Sequence, residues 1–492
     1  MRDRSIYPRS SAHRSAYVHA VRHLAHPDGL GRVQGPHWFG TCGALTWWRW
    51  DSIRAVAATT LAADVPGPAL VRELRRTDIV GLTVNNVIGA GIFTMPAALA
   101  AGAGGASLVV LLLTILMTSM MALCLVEVAS RFDTTGGPMI YASEAFGPRT
   151  GFVVGWLMYL SRLAAFGAIV VVMLDYGAGL WPALAAPTVQ LAVVTLVLAG
   201  LAAINIRGVA HGARMSSALA AAKVVPLVLV AGAGIWMVGA LPAAPPPERL
   251  GDLGGAVLVA FFTCMGFETG AVLAGEVRHP QRDLPTGILG GMCGVAIVYT
   301  LVMVACLRAV PDLAHATRPL AAAAAAALGP AGATVVSMTA VLSCAGTLTV
   351  MMLTTPRVLF ALAAHGDVPP VLASVNPARH TPAIAIVVSA AVIWVLTVSG
   401  TFVYLATFSA MARLLMYGST CAALIVLRRR DGPAPVTIPW GPVFSVLSML
   451  LATAAIVATA GTQIRDLTIA VALGWALRAA VRHRRNAAAP AV

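Results

Sequence analysis

A chain of 492 residues that is 59% hydrophobic and 11% charged is not a soluble domain, because soluble domains carry about 25% charged residues. The formal net charge of +14 does not point to nucleic acid, since no basic face flanked by stacking aromatics sits on a soluble module. Cys42, Cys124, Cys264, Cys293, Cys306, Cys344 and Cys421 form no CxxC pair, so neither a zinc site nor a disulfide framework is indicated, and the composition describes an all-α polytopic membrane protein.

Residues 1–77 are rich in Arg, His and Ser, with Trp47, Trp48 and Trp50 clustered. They lack the apolar core of a secretory signal and read as a basic, disordered cytoplasmic extension. A start codon assigned too far upstream is the other reading, because the membrane pattern begins at Thr77. Windows of about 20 apolar residues, long enough to span, follow near 78–100, 105–129, 151–176, 188–205, 216–239, 253–275, 285–307, 332–362, 382–399, 401–427, 441–461 and 464–481. They define a membrane region over 78–482, followed by a cytoplasmic tail over 483–492. The ninth and tenth windows must turn tightly at Ser399–Gly400.

The arginines test this arrangement. With the N-terminus inside, the inner connections hold Arg131, Arg149, Arg207, Arg214, Arg278, Arg282, Arg357, Arg379, Arg428, Arg429 and Arg430. The outer connections hold only Arg249, Arg308, Arg318 and Arg465, and the tail adds Arg482, Arg484 and Arg485 inside. Twelve spans with both ends cytoplasmic satisfy the positive-inside rule.

Two windows carry helix breakers. The first contains NNVIGAGIFTMPAAL, with Gly89, Gly91 and Pro96, and the sixth contains FFTCMGFETGAVLAGEV, with Gly266 and Gly270. Gly and Pro interrupt the backbone ladder, and open backbone at membrane depth is tolerated only where it lines a cavity. Isolated glycines in membrane helices otherwise serve close packing. Two interrupted helices at corresponding places in successive five-helix sets instead point to an inverted repeat and its binding site.

The segment GAGIFTMPAALA (89–100) resembles the first-helix signature of the amino acid–polyamine–organocation transporter superfamily. FFTCMGFETGAVLAGEVRHPQRDLPTGI (261–288) resembles its sixth helix and following loop. TTGGPMIYASEAFGPRTGFVVGW (134–156), TTPRVLFALAAHGDVPP (354–370) and RLLMYGSTCAALIVLRRR (413–430) are further matches in order. The resemblance is to amino acid permeases of the basic amino-acid/polyamine antiporter-like branch. It implies a LeuT-like fold of twelve transmembrane helices, in a 5+5 inverted repeat plus two extra helices, with helices one and six broken.

That resemblance implies a site. Free amides around Ala90, Gly91 and Ile92 would hold a substrate carboxylate, as half-helix N-termini do. Carbonyls near Ile88 on the first helix and Phe262 and Thr263 on the sixth would face the ammonium, with Gly89 also in the substrate site. Phe93 and Phe267 are gating or packing aromatics. Thr263, Cys264, Met265 and Arg162 would build the side-chain pocket. Arg162 could attract an acidic or polar side chain, or form a structural ion pair with Glu127, Asp175 or Glu268. Arg413 reads as structural and distant from the breaks. Glu268 could relay a proton or couple the unwound segment to a gate.

Lys223 is the only lysine in the chain. It lies in the fifth window, where an intramembrane charge is a functional hypothesis by default and snorkelling to the interface is the plainer alternative. Sodium-independent relatives carry a lysine on this helix, in place of a cation near Gly89 and Ser343. Loss of its proton would give proton symport; a permanent charge would give sodium-independent exchange. The resulting expectation is a secondary active amino-acid transporter of the plasma (inner) membrane working by alternating access, without a cofactor or metal, in contact with the lipid bilayer and no nucleic acid. A polyamine or amine exchanger and a non-transporting nutrient sensor of the same fold are the alternatives. No catalytic motif such as HExxH or GxSxG is present.

Overall fold

The computed structural model describes residues 75–132, 137–207, 226–230, 232, 250–268, 277–376, 379, 381–459 and 461–488. Among these residues it is all-helical, without a β-strand. In chain order the helices are α1 (Arg76–Val87), α2 (Met95–Ala103), α3 (Ser107–Ala129), α4 (Pro138–Phe146), α5 (Pro148–Ala178) and α6 (Pro187–Arg207). They continue as α7 (Leu250–Thr263), α8 (Pro280–Ala309), α9 (Pro319–Ala364), α10 (Ala383–Ser399), α11 (Phe402–Asp431), α12 (Gly441–Val457) and α13 (Gly461–Ala488).

Every apolar window outside 216–239 holds a helix; within 216–239 the described residues, 226–230 and 232, are helical, and the rest, including Lys223, lies outside the described residues. Gly270 also lies outside them. Six helical stretches are long and apolar enough to cross a membrane among the described residues, or up to seven if α12 and α13 form one bent span. The eighth window starts too late. α9 runs from Pro319 through an alanine-rich turn to a kink at Gly329, where φ is 73° before Pro330. α4 lies in no window because it is a short connecting helix. Pro138 at its start and Gly147 (φ 92°) at its end are the usual asymmetric start and stop signals.

Burial separates centre from periphery. In α5 78% of the apolar window is buried, against 17% in α6. α5 packs along α9 and α11, and α1 packs along α8. On α3, Val109, Leu112, Leu113 and Leu116 are all at least half exposed. Their spacing puts them on one helical face, an apolar stripe suited to hydrocarbon rather than water. Glu127 on α3 is fully buried and is gripped by both Nε and Nη2 of Arg428 on α11. It also accepts the Ile438 amide at 2.9 Å, so the C-terminal ends of α3 and α11 are tied to the connection that follows α11.

The first window is interrupted as its glycines predict. α1 stops at Val87, the chain bends through Ile88–Ala90, a 3-10 turn covers Gly91–Phe93, and α2 begins at Met95. Pro96 sits in the first turn of α2, where its missing N–H costs no hydrogen bond. α7 ends at Thr263 and turns through 264–267, with Gly266 at φ 119°. A Cβ on Gly266 would lie 2.5 Å from the Asn86 carbonyl oxygen, and one on Gly91 would lie 2.8 Å from Thr263 Oγ1. The two breaks therefore touch, backbone to backbone, because glycine stands at both contact points.

Candidate functional site

A cavity of about 380 Å³ lies where the breaks meet. Asn85, Asn86 and Val87 at the end of α1, with Gly89, Ala90 and Gly91 in the break, form one wall. Phe262 and Thr263 of α7, followed by Met265, Gly266 and Glu268, form another. Arg162, Ala165 and Ile169 of α5 face a stripe on α9 made of Ser343, Gly346, Thr347, Val350, Met351 and Thr354, and Arg413 of α11 completes the lining.

Backbone groups supply much of the polarity. No backbone hydrogen bond is made by the amides of Ala90, Gly91 or Ile92 among the described residues. They open the 3-10 turn that leads into α2, so three donors and the positive end of a half-helix lie together. Tyr299 of α8, fully buried, holds its hydroxyl 2.9 Å from the Val87 carbonyl and 3.0 Å from the Thr263 carbonyl, within reach to donate its hydrogen to either. One phenol thus bridges both breaks.

The charged groups are unequally partnered. Arg413 donates to Glu268 Oε1 through Nη1, to Ser161 Oγ through Nε at 3.0 Å, and to Tyr417 Oη at 3.3 Å. The other Glu268 oxygen accepts the Gly266 amide at 3.0 Å, so the carboxylate braces the turn after α7. Arg162 donates through Nη1 to Thr354 Oγ1 at 2.9 Å. Its Nε and the Ser343 hydroxyl are both buried with no hydrogen-bond partner among the described residues. No group of three or more His, Cys, Asp or Glu that could hold a metal ion occurs among those residues.

The structure brings Gly89, Ala90, Gly91, Arg162, Phe262, Thr263, Met265, Glu268 and Ser343 onto one cavity. Ile88 and Ile92 are fully buried beside it, their side chains in the core. Cys264 does not line it: the chain leaves helical geometry after Thr263, and the Cys264 thiol turns into the core, fully buried. Phe93 and Phe267 also lie off the wall. Phe93 packs edge-on against Tyr176, whose hydroxyl donates to the Phe93 carbonyl at 2.7 Å, and Phe267 packs on Tyr417. The ion pair expected for Arg162 is not formed, because Glu127 is taken by Arg428 and Glu268 by Arg413, and Asp175 makes no ion pair with it. Arg413, expected far from the breaks, stands on the cavity wall.

Sequence reasoning missed Asn85, Asn86 and all of the α9 stripe beyond Ser343. A signal existed for each. The asparagine pair directly precedes the first break, and Ser343, Gly346, Thr347, Val350 and Thr354 recur at helical spacing. Nothing in α11 alone marked Arg413, because its partner lies 145 residues away.

The sequence model for amino acid permeases matches residues 74–477. The chain is 25% identical over 378 residues to the serine/threonine exchanger SteT of Bacillus subtilis, covering 73% of this chain and 84% of the relative. It is 30% identical over 393 residues to an uncharacterized transporter of Mycobacterium tuberculosis, covering 76% and 84%. It is 25% identical over 415 residues to the methylthioribose transporter of Bacillus subtilis, covering 79% and 88%. These relatives are named as transporters or exchangers, not as enzymes. The chain belongs to the amino acid permease family of the amino acid–polyamine–organocation superfamily.

Proposed function

We propose that this protein is a sodium-independent amino-acid permease of the cell membrane, working by alternating access around the cavity at the two breaks. In this reading the chain crosses the bilayer twelve times with both ends cytoplasmic, as two inverted five-helix repeats plus two helices. The substrate carboxylate takes the amides of Ala90, Gly91 and Ile92, and its ammonium takes carbonyls near Ile88, Phe262 and Thr263. The observation that carries the reading is the set of three unpaired amides beside a cavity that the second break also lines. Open backbone donors at membrane depth are costly unless a ligand or water satisfies them.

The coupling reading rests on motif position. Lys223, outside the described residues, would replace a sodium ion near Gly89 and Ser343. The unpartnered Ser343 hydroxyl is consistent with a donor approaching from that side. Proton symport and exchange are the two couplings compatible with this arrangement, and one relative is named an exchanger. The polyamine alternative is disfavoured because both oxygens of Glu268, the acid on the cavity wall, are already engaged.

The test is uptake of labelled amino acids by proteoliposomes holding the full-length protein, with sodium replaced by choline. Uptake unchanged by the replacement is expected. Strict sodium dependence would overturn the coupling reading, and failure to move or exchange any amino acid would overturn the permease reading.

A further inference from the structure

We propose that the cavity selects amino acids with an acidic side chain, and that Arg162 is the group that receives the side-chain carboxylate. The inference rests on the permease reading and names the substrate class of that same site.

The charges on the wall do not cancel. Among the described residues, Arg162 and Arg413 stand against Glu268 alone. Glu268 is committed, with one oxygen on Arg413 and the other on the Gly266 amide. Arg413 is committed as well, to Glu268, Ser161 and Tyr417. That leaves Arg162 with one neutral partner, the Thr354 hydroxyl, and no carboxylate within ion-pair distance among the described residues. Arg162 sits in the middle of α5, a largely buried helix, yet is itself only partly buried, and it lines the cavity.

A cation held at membrane depth without a counter-charge is unfavourable, and residues that keep one there generally face a ligand or a pathway. A zwitterionic substrate brings no net charge and leaves the guanidinium uncompensated. A basic substrate adds repulsion. An acidic amino acid supplies the missing anion, and the planar fork of arginine matches a carboxylate through two parallel hydrogen bonds. Thr354 fixes one edge of the fork. A cavity of about 380 Å³ is on the scale of small-ligand sites.

The experiment uses purified full-length protein. Thermal shifts are recorded with L-glutamate, L-aspartate, L-glutamine, L-serine and L-arginine, since a ligand of the native state raises Tm. The same panel then competes with labelled L-glutamate in proteoliposomes. Glutamate or aspartate is expected to bind roughly thirtyfold more tightly than glutamine, the loss associated with truncating one side of a buried charge pair. Arg162→Gln should erase that preference by weakening glutamate while leaving glutamine little changed, and Arg162→Lys should retain part of it.

Equal or better binding of glutamine, serine or arginine by the wild-type protein would overturn the inference and leave the permease reading standing. A glutamate preference that survives in Arg162→Gln would overturn the role of Arg162. If Arg162→Gln does not fold, the wild-type panel and Arg162→Lys decide. Binding of no amino acid at all would overturn both readings.

Discussion

Arg413 and Glu268 lie 145 residues apart in the chain and meet at the cavity wall as a buried ion pair. The pair anchors the turn that follows α7 to α11, because Glu268 also holds the Gly266 amide. Removing one partner of such a pair leaves an uncompensated buried charge and costs about 3–5 kcal/mol, whereas removing both costs much less. Arg413→Gln should therefore lower Tm in detergent markedly, and Arg413→Gln combined with Glu268→Gln should recover part of the loss. A double variant as unstable as the sum of the singles would show that the residues act independently.

The glycines at the first break differ in what surrounds them. A Cβ at Gly91 would stand 3.0 Å from the Thr263 Cα, while at Gly89 the nearest atom is the Val87 carbonyl oxygen at 3.8 Å. Gly91→Ala must push the two breaks apart, at about 1–3 kcal/mol of overpacking, and Gly91→Val more. Both should lose substrate binding while still reaching the membrane. Gly89→Ala should fold with a Tm near that of the wild type. A Gly91→Ala protein with unaltered substrate thermal shift would contradict the contact.

Tyr299→Phe keeps the ring in its buried place and deletes the hydroxyl that reaches Val87 and Thr263. The Val87 carbonyl keeps the Gly89 amide, and leaving the buried Thr263 carbonyl unsatisfied costs about 1–3 kcal/mol. The expected result is a lowered Tm, together with substrate affinity weakened by about fivefold or more. Isothermal calorimetry with the substrate identified by the panel checks it.

Lys223 carries a prediction from its motif position alone. Lys223→Ala should abolish proton-driven accumulation if the amine titrates, with the pH dependence of uptake lost. Under exchange with a permanently charged lysine, Lys223→Arg should preserve counterflow. Unchanged uptake and pH profile in Lys223→Ala would remove the residue from the coupling scheme.

Both interruptions were legible in the sequence because each is written in glycine, and backbone that must leave the helix has few other residues to use. Side-chain direction was legible only while helical geometry held. Thr263 could be placed on the wall, but beyond it the turn rotates Cys264 into the core and Met265 toward the cavity. Phe93 and Phe267 sit close to the breaks in sequence, yet their rings pack on Tyr176 and Tyr417, from distant helices. Arginine pairing was the least legible. Two acids and three arginines allow several pairings, and only the packing of α3, α5 and α11 decides that Glu127 goes to Arg428, Glu268 to Arg413, and Arg162 to no acid among the described residues.

The phenol of Tyr299 has a single hydrogen, yet two carbonyls, Val87 and Thr263, lie within its reach. Whichever way that hydrogen points, the Val87 carbonyl keeps the Gly89 amide at 2.7 Å, so the Thr263 carbonyl is the end that depends on it. The two broken helices thus share one proton, and a flip of that hydrogen toward Val87, without motion of a heavy atom, takes the hydroxyl donor away from the Thr263 carbonyl. An ammonium, with three donors of its own, would supply that carbonyl in the substrate reading proposed above, so filling the cavity would free the Tyr299 hydrogen for Val87 and leave both helix ends satisfied.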